Sequence, residues 1–151
     1  MSLTRPEEKM SKSDENPKSR ILITDSREEI QKKIRTAKTD SIEGVSYDPE
    51  ARPGVSNLIE IMFHLTNGED GAAASCEELA HDCKDLSMRA LKERMVDVVD
   101  SHLEGIRAKY EELMNAERES SLLEEIAEQG AREANANAAK TMRDVRDAVG
   151  L

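Results

Sequence analysis

Aromatic residues are nearly absent from this chain. It has no tryptophan, one phenylalanine (Phe63) and two tyrosines (Tyr47 and Tyr110), so 2% of its 151 residues are aromatic. A β-sandwich or barrel draws its core from aromatic and β-branched residues, and this composition argues against one. Proline is scarce, at four residues, and leaves long stretches free to be helical. Only two cysteines occur, Cys76 and Cys83, seven apart. On one helix that is two turns, too far for a disulfide within it. His81 lies near them, but a fourth ligand is missing and the spacing fits no zinc pattern. The expected reading is two half-buried helix cysteines. No apolar run reaches membrane-spanning length, so no membrane partner is expected. The opening residues form no signal or transit peptide, and any targeting segment is expected upstream of Met1. Walker-type and dinucleotide-binding glycine patterns are also missing.

What remains is charge and helix formers. Charged residues make up 36% of the chain and the net charge is -10. The charge is uneven: residues 1–38 hold ten Lys/Arg against seven Asp/Glu, and the remainder is strongly acidic. Contact with a polyanion is therefore expected to be local, and the N-terminal arm is its place.

Residues 1–23 read as loop, with Pro6 and Pro17 disfavouring helix before them. Ile21, Leu22 and Ile23 form either a brief strand or an anchor for the arm. Ser26-x-x-Glu29 is a capping box, and Ile30, Ile34 and Ala37 form the apolar stripe of a first helix. The lysines and arginine around that stripe (Lys32, Lys33, Arg35 and Lys38) read as a solvated face at the helix C-terminus, with an RNA or phosphate contact as the competing reading. A second helix starts near Pro53 and turns Val55, Leu58, Ile59, Met62 and Leu65 inward, with a stop at Asn67-Gly68. Ser75-x-x-Glu78 caps a short third helix that carries Leu79 and Cys83 inward.

From Ser87 the pattern Met88, Leu91, Met95, Val98, His102, Ile106, Tyr110, Leu113 predicts one long amphipathic helix. His102 reads as a boundary histidine. After a break over residues 115–121, a last helix presents Leu122, Leu123, Ile126, Gly130, Ala134, Ala138, Met142, Val145 and Val149, with Gly130 allowing close packing. The expected fold is mainly α, a small helical bundle with a long antiparallel hairpin over residues 88–149, preceded by an extended N-terminal loop segment. The expected division is 1–24, a loop and linker, and 25–151, a helical domain.

The chemistry is concentrated in Lys9-Met10-Ser11-Lys12-Ser13. Two mobile point charges three residues apart, between hydroxyls, can hold a polyphosphate and stabilise charge that develops on departing phosphates. A loop can close such groups over a nucleotide after it binds. The chain has no nucleotide pocket of its own, no activated nucleophile and no metal site to go with them.

Lys9-Met10-Ser11-Lys12-Ser13 is also similar to the second signature of class I aminoacyl-tRNA synthetases. The flanks resemble the tryptophanyl-tRNA synthetase family, most distinctively in Pro53-Gly54-Val55-Ser56-Asn57-Leu58. Lys32-Lys33-Ile34 with Thr39-Asp40-Ser41, and the C-terminal run from Gly130 to Gly150, carry it further. The resemblance implies that Lys9 and Lys12 are catalytic and stabilise the ATP triphosphate and leaving pyrophosphate, with Mg2+ assisting. It implies that Ser11 and Ser13 hold phosphates and that the backbone at Met10 lies near adenine. It further implies that the helices recognise the tRNA(Trp) anticodon, that tryptophan and ATP are substrates, and that the enzyme is a homodimer. The family's Rossmann domain has no counterpart here, so the expectation is a C-terminal portion of a bacterial or mitochondrial-type enzyme, inactive alone, with residues 1–20 poorly ordered or held by contacts irrelevant to catalysis. The mitochondrial matrix is the expected compartment, or the cytoplasm for a bacterial source. The alternative is a stand-alone acidic helical interaction module without catalysis.

Overall fold

The computed structural model describes residues 1–67, 71–116 and 122–150. Among these the only regular structure is helical: a short 3-10 turn at Pro17–Ser19, then α1 (Arg27–Arg35), α2 (Pro53–Thr66), α3 (Cys76–Asp82), α4 (Met88–Ala116) and α5 (Leu122–Val149). The mainly α bundle read from composition and periodicity is thus observed. The residues fall into two compact units, Met1–Arg107 and Ala108–Leu151. No helix among the described residues is long and apolar enough to cross a membrane.

α1 begins where its capping box places it. Ser26 Oγ accepts from Glu29 N at 3.3 Å, and Glu29 Oε2 accepts from Ser26 N at 2.8 Å. Ile30 and Ile34 are fully buried and Ala37, just past the helix, is 4% exposed. The helix stops when Thr36 Oγ1 turns back to the carbonyls of Lys32 and Lys33, 3.1 Å from each. Lys92 of α4 then donates to the carbonyls of Arg35 and Ala37, satisfying acceptors that a helix end leaves open. Of the basic residues on α1, Lys33 departs from the solvated reading: it pairs with Asp25 in a largely buried bridge.

α2 is the centre of the first unit. Pro53 sits in the first turn, where a missing N–H costs nothing. Val55, Leu58, Ile59 and Met62 are at most 1% exposed, and each such side chain contributes about 1.5–3 kcal/mol on burial. The stop at Asn67 is observed, with extended rather than left-handed backbone, while Gly68 lies outside the described residues. α3 packs on α2 and turns Leu79, Ala80 and Cys83 inward. Its cap is a variant of the box: Ser75 Oγ accepts from Glu78 N, but Glu78 reaches back to Ala74 N at 2.6 Å.

α4 carries a correction. Leu91 and Met95 are buried as expected, but the face continues through Val96, Val99 and half-buried Leu103. Val98 is half-buried, and His102 is exposed instead of sitting at a boundary. Ile106 and Tyr110 are 45% and 42% exposed. Spacings of three and four fit both faces, because valines occupy 96, 98 and 99 alike; the packing of α1, α2 and α3 selects one. Arg27 bonds Asp97 and Asp100, and Arg107 bonds Asp100 and the Asp25 carbonyl, tying α1 to α4.

α5 carries another. It has no buried residue. Ile126, Met142, Val145 and Val149 of its expected inner face are 46–63% exposed, and a Cβ at Gly130 would meet nothing within 4 Å. An apolar stripe says that a face favours cover; it does not say that this chain supplies the cover. The expected break over residues 115–121 includes 117–121, which lie outside the described residues.

Candidate functional site: a pinned loop with two unpaired lysines

Residues 1–20 contain almost no regular structure, yet of the two expectations, poor order or being held by contacts, the structure shows them held by contacts within the first unit. Ser2 N donates to the Glu8 carbonyl at 2.8 Å, and Leu3 N donates to the Ser19 carbonyl at 2.9 Å. One dipeptide thereby holds both ends of the loop that carries the signature. Ser2, Leu3 and Ser19 are at most 1% exposed. The Leu3 carbonyl in turn accepts from Lys38 N at 2.8 Å. Ile21 packs against the core and anchors the segment, whereas Leu22 and Ile23 are 37% and 50% exposed and no strand forms here.

The lysine-bearing tip stands out from this base. Lys9, Ser11, Lys12 and Ser13 are exposed, and Met10 is half-buried against the core. Ser11 and Ser13 face each other, with hydroxyls 3.1 Å apart, and Ser13 N donates to Ser11 Oγ. Neither lysine has a hydrogen-bond or ion-pair partner among the described residues. Of the four carboxylates around them, Glu8 and Asp14 are engaged, whereas Glu7 and Glu15 are exposed and make no ion pair among the described residues. Asp14 accepts from Asn16 N at 2.9 Å and from Arg5 at 2.6 Å. The Asn16 backbone bond, aided by Arg5, holds the Asp14 carboxyl below its ordinary value, so it stays ionised and paired. Arg5 also bridges Glu8, and Arg20 bonds the Asp14 carbonyl. All five residues singled out in the sequence, 9–13, therefore share one short loop with free ammonium groups at its tip.

Two further residues matter that periodicity could not rank. Asn57, 3% exposed on α2, donates from Nδ2 to the Ser2 carbonyl at 3.2 Å and accepts at Oδ1 from Met1 N at 2.9 Å. Arg52 is buried beneath the loop of residues 40–46. It makes two bonds to Asp40 and others to Ile42 O, Gly44 O and Ser46 Oγ. The arginine's hydrogen bonds hold the Asp40 carboxyl below its ordinary range.

Cys76, His81 and Cys83 do not converge. Cys83 is buried with Arg94 3.2 Å from its sulfur, Cys76 is half-buried, and His81 is exposed beside Lys84. Burial pushes both thiols up. Among the described residues no group of three or more His, Cys, Asp or Glu side chains could hold a metal ion.

The family model for tRNA synthetases class I (W and Y) matches residues 1–104, and the chain belongs to that family. It is 40% identical over 151 residues to the tryptophan–tRNA ligase of Bacillus anthracis, matching all of this chain and 43% of that protein. It is 39% identical to the mitochondrial tryptophan–tRNA ligase of Saccharomyces cerevisiae, again over all of this chain and 38% of that one. Among solved structures, tryptophanyl-tRNA synthetase from Mycoplasma pneumoniae matches with a TM-score of 0.55 and 28% identity, over 72% of this chain and 34% of that one. The chain thus spans roughly two fifths of the length of its curated relatives.

Proposed function

We propose that the chain is the C-terminal portion of a tryptophan–tRNA ligase. Residues 1–24 would be the closing loop and its linker, and 25–151 the helical domain that recognises the tRNA(Trp) anticodon. In the reaction the tryptophan carboxylate attacks the α-phosphorus of ATP. One oxygen–phosphorus bond forms, the bridging bond to the β-phosphate breaks, and pyrophosphate leaves. Lys9 and Lys12 act on the leaving group: two unpaired ammonium groups meet the negative charge that gathers there, and so stabilise the transition state more than the bound substrate. Ser11 and Ser13 supply short hydrogen bonds to phosphate oxygens, and the Met10 backbone lies toward adenine. Mg2+, when bound, would neutralise triphosphate charge; no acidic cluster that could hold it exists among the described residues. The enzyme is a homodimer in this reading. It works in the mitochondrial matrix, or in the cytoplasm of a bacterium, since both kinds of relative occur.

The observation that carries the reading is the pair of free lysines on a loop with both ends fixed. The rival, a self-sufficient acidic interaction module, calls for a closed polar surface. Met1, Leu22, Ile23 and Ile42 are instead 37–55% exposed. Tryptophan-dependent ATP–pyrophosphate exchange tests the proposal. In the full-length protein, Lys12→Ala should lower kcat by about 10²–10³-fold and leave the tryptophan KM within about twofold. Equal losses in both would refute the transition-state role. The 151-residue chain alone should give no exchange above background.

A further inference from the structure

The dipeptide Ser2-Leu3 has four backbone polar groups, and each is satisfied by a different part of the chain. Ser2 N–H goes to Glu8 and Leu3 N–H to Ser19, the two ends of the lysine loop; Leu3 C=O takes the Lys38 N–H. The Ser2 C=O takes the Asn57 side-chain amide at 3.2 Å. Three partners are backbone, which any residue supplies. The fourth is a side chain: the buried Asn57 amide donates to Ser2 O. The Lys38 partner is led back to the same helix turn. A Cβ at Gly54 would lie 2.3 Å from Lys38 O, so only glycine lets α2 press against that strand of backbone. Both remaining supports of the dipeptide therefore converge on the first two turns of α2.

We propose that Asn57 is a positioning residue for the lysine loop. It fixes the base about which Lys9 and Lys12 swing, and so sets where their ammonium groups arrive. It touches neither nucleotide nor phosphate. A lid needs a free tip and a fixed base. The tip is free here, and the base depends on one buried amide. The inference rests on the reading of the loop as the ATP-closing element.

The experiment has two arms. Amide hydrogen exchange of the 151-residue chain compares the parent with Asn57→Asp, which keeps size and the acceptor but loses the donor to Ser2 O. Exchange at Leu3 and Lys38 should accelerate at least tenfold, while Leu58 and Met95 in the core change less than twofold. Asn57→Ala should behave alike. The destabilising core variant Val99→Ala should speed no loop amide beyond its effect on the core. In the full-length protein, Asn57→Asp should lower kcat for ATP–pyrophosphate exchange at least tenfold with the tryptophan KM within twofold, and Val99→Ala should leave kcat within twofold. The proposal is overturned if Leu3 and Lys38 exchange no faster relative to the core, if kcat is unchanged, or if Val99→Ala matches Asn57→Asp. A parent protein with no exchange activity at all would refute the ligase reading, and the Leu3 and Lys38 rates would still decide whether Asn57 holds the loop base.

Discussion

Removing the Arg52 side chain should unfold the first unit's loop scaffold at a cost that can be worked from its bonds. Arg52 is 5% exposed and Asp40 25%. The guanidinium donates to Asp40 at 2.8 and 2.9 Å, to Ser46 Oγ at 2.9 Å, and to the carbonyls of Ile42 and Gly44 at 3.2 Å. Breaking a buried pair by deleting one partner costs about 3–5 kcal/mol. Water reaches a quarter of Asp40, so the lower end applies, about 3 kcal/mol, or a fall in Tm of roughly 12–24 °C for a unit of about this size. Asp40→Asn should cost less, since the amide oxygen keeps one bond, and the double variant should reveal a coupling of about 2 kcal/mol. Urea unfolding followed by tyrosine fluorescence in a Tyr110→Phe background reports this unit alone, because Tyr47, whose hydroxyl bonds Glu60 at 3.0 Å, is then the sole tyrosine. The pH dependence has a definite sign. The Asp40 carboxyl is held below its ordinary value of 3.8 chiefly by its bonds to Arg52. Its contribution is therefore complete above about 3.8 and is lost as pH falls through the lower folded value. A loss under about 1 kcal/mol for Arg52→Ala, or additivity of the two variants within about 0.5 kcal/mol, would refute the reasoning.

Two other outcomes follow from burial. Met95→Ala, at a fully buried site, should cost about 2–5 kcal/mol, whereas Val145→Ala, at a site 46% exposed, should stay within about 0.5 kcal/mol in this chain; urea midpoints decide. Cys83 is buried and Cys76 half-buried, with both thiols pushed up by burial, so a disulfide reagent at neutral pH should modify Cys76 slowly and Cys83 only on unfolding. Equal rates for the two sulfurs in the folded chain would contradict that packing.

Much of the helical frame was legible because its causes are local. Ser26 and Glu29 are three residues apart and announce α1 by themselves; Val55, Leu58, Ile59 and Met62 name the inner face of α2. Lys9 to Ser13 stand together in one exposed loop for the same reason, since they are consecutive residues. Three features were not, and each depends on distant partners. The face of α4 hinges on whether Val98 or Val99 meets the helices packed there, and both satisfy the spacing. Lys33 reads as one more solvated cation until Asp25, eight residues away, folds against it. Ser2 and Leu3 are an unremarkable dipeptide until residues 8, 19, 38 and 57 close on them. The apolar stripe of α5 was read correctly as a stripe, but amphipathicity carries no information about who covers it.

Two of the acids beside the unpaired lysines are held by a different residue. Residues 7–15 contain Glu7, Glu8, Asp14 and Glu15 beside Lys9 and Lys12, and in so short a loop acid and base would be expected to pair with one another. Arg5 engages two of these four acids, Glu8 at 3.0 Å and Asp14 at 2.6 Å, while Glu7 and Glu15 make no ion pair among the described residues. Its fork can hold two carboxylates where a lysine offers one compact charge. Arg5 and Glu8 are more than half exposed, and exposed pairs contribute about 0–1 kcal/mol. Stability is therefore a poor account of this arrangement. Occupancy is a better one: a carboxylate already bonded to an arginine competes less for an ammonium group. A loop that must hand two positive charges to a phosphate group gains from keeping them unpaired beforehand, since a pre-existing ion pair would have to break as the loop closes. In the proposed function, the base formed by Ser2, Leu3 and Asn57 sets where the charges arrive, and the pairing of Glu8 and Asp14 with Arg5 keeps two of the four nearby acids off them.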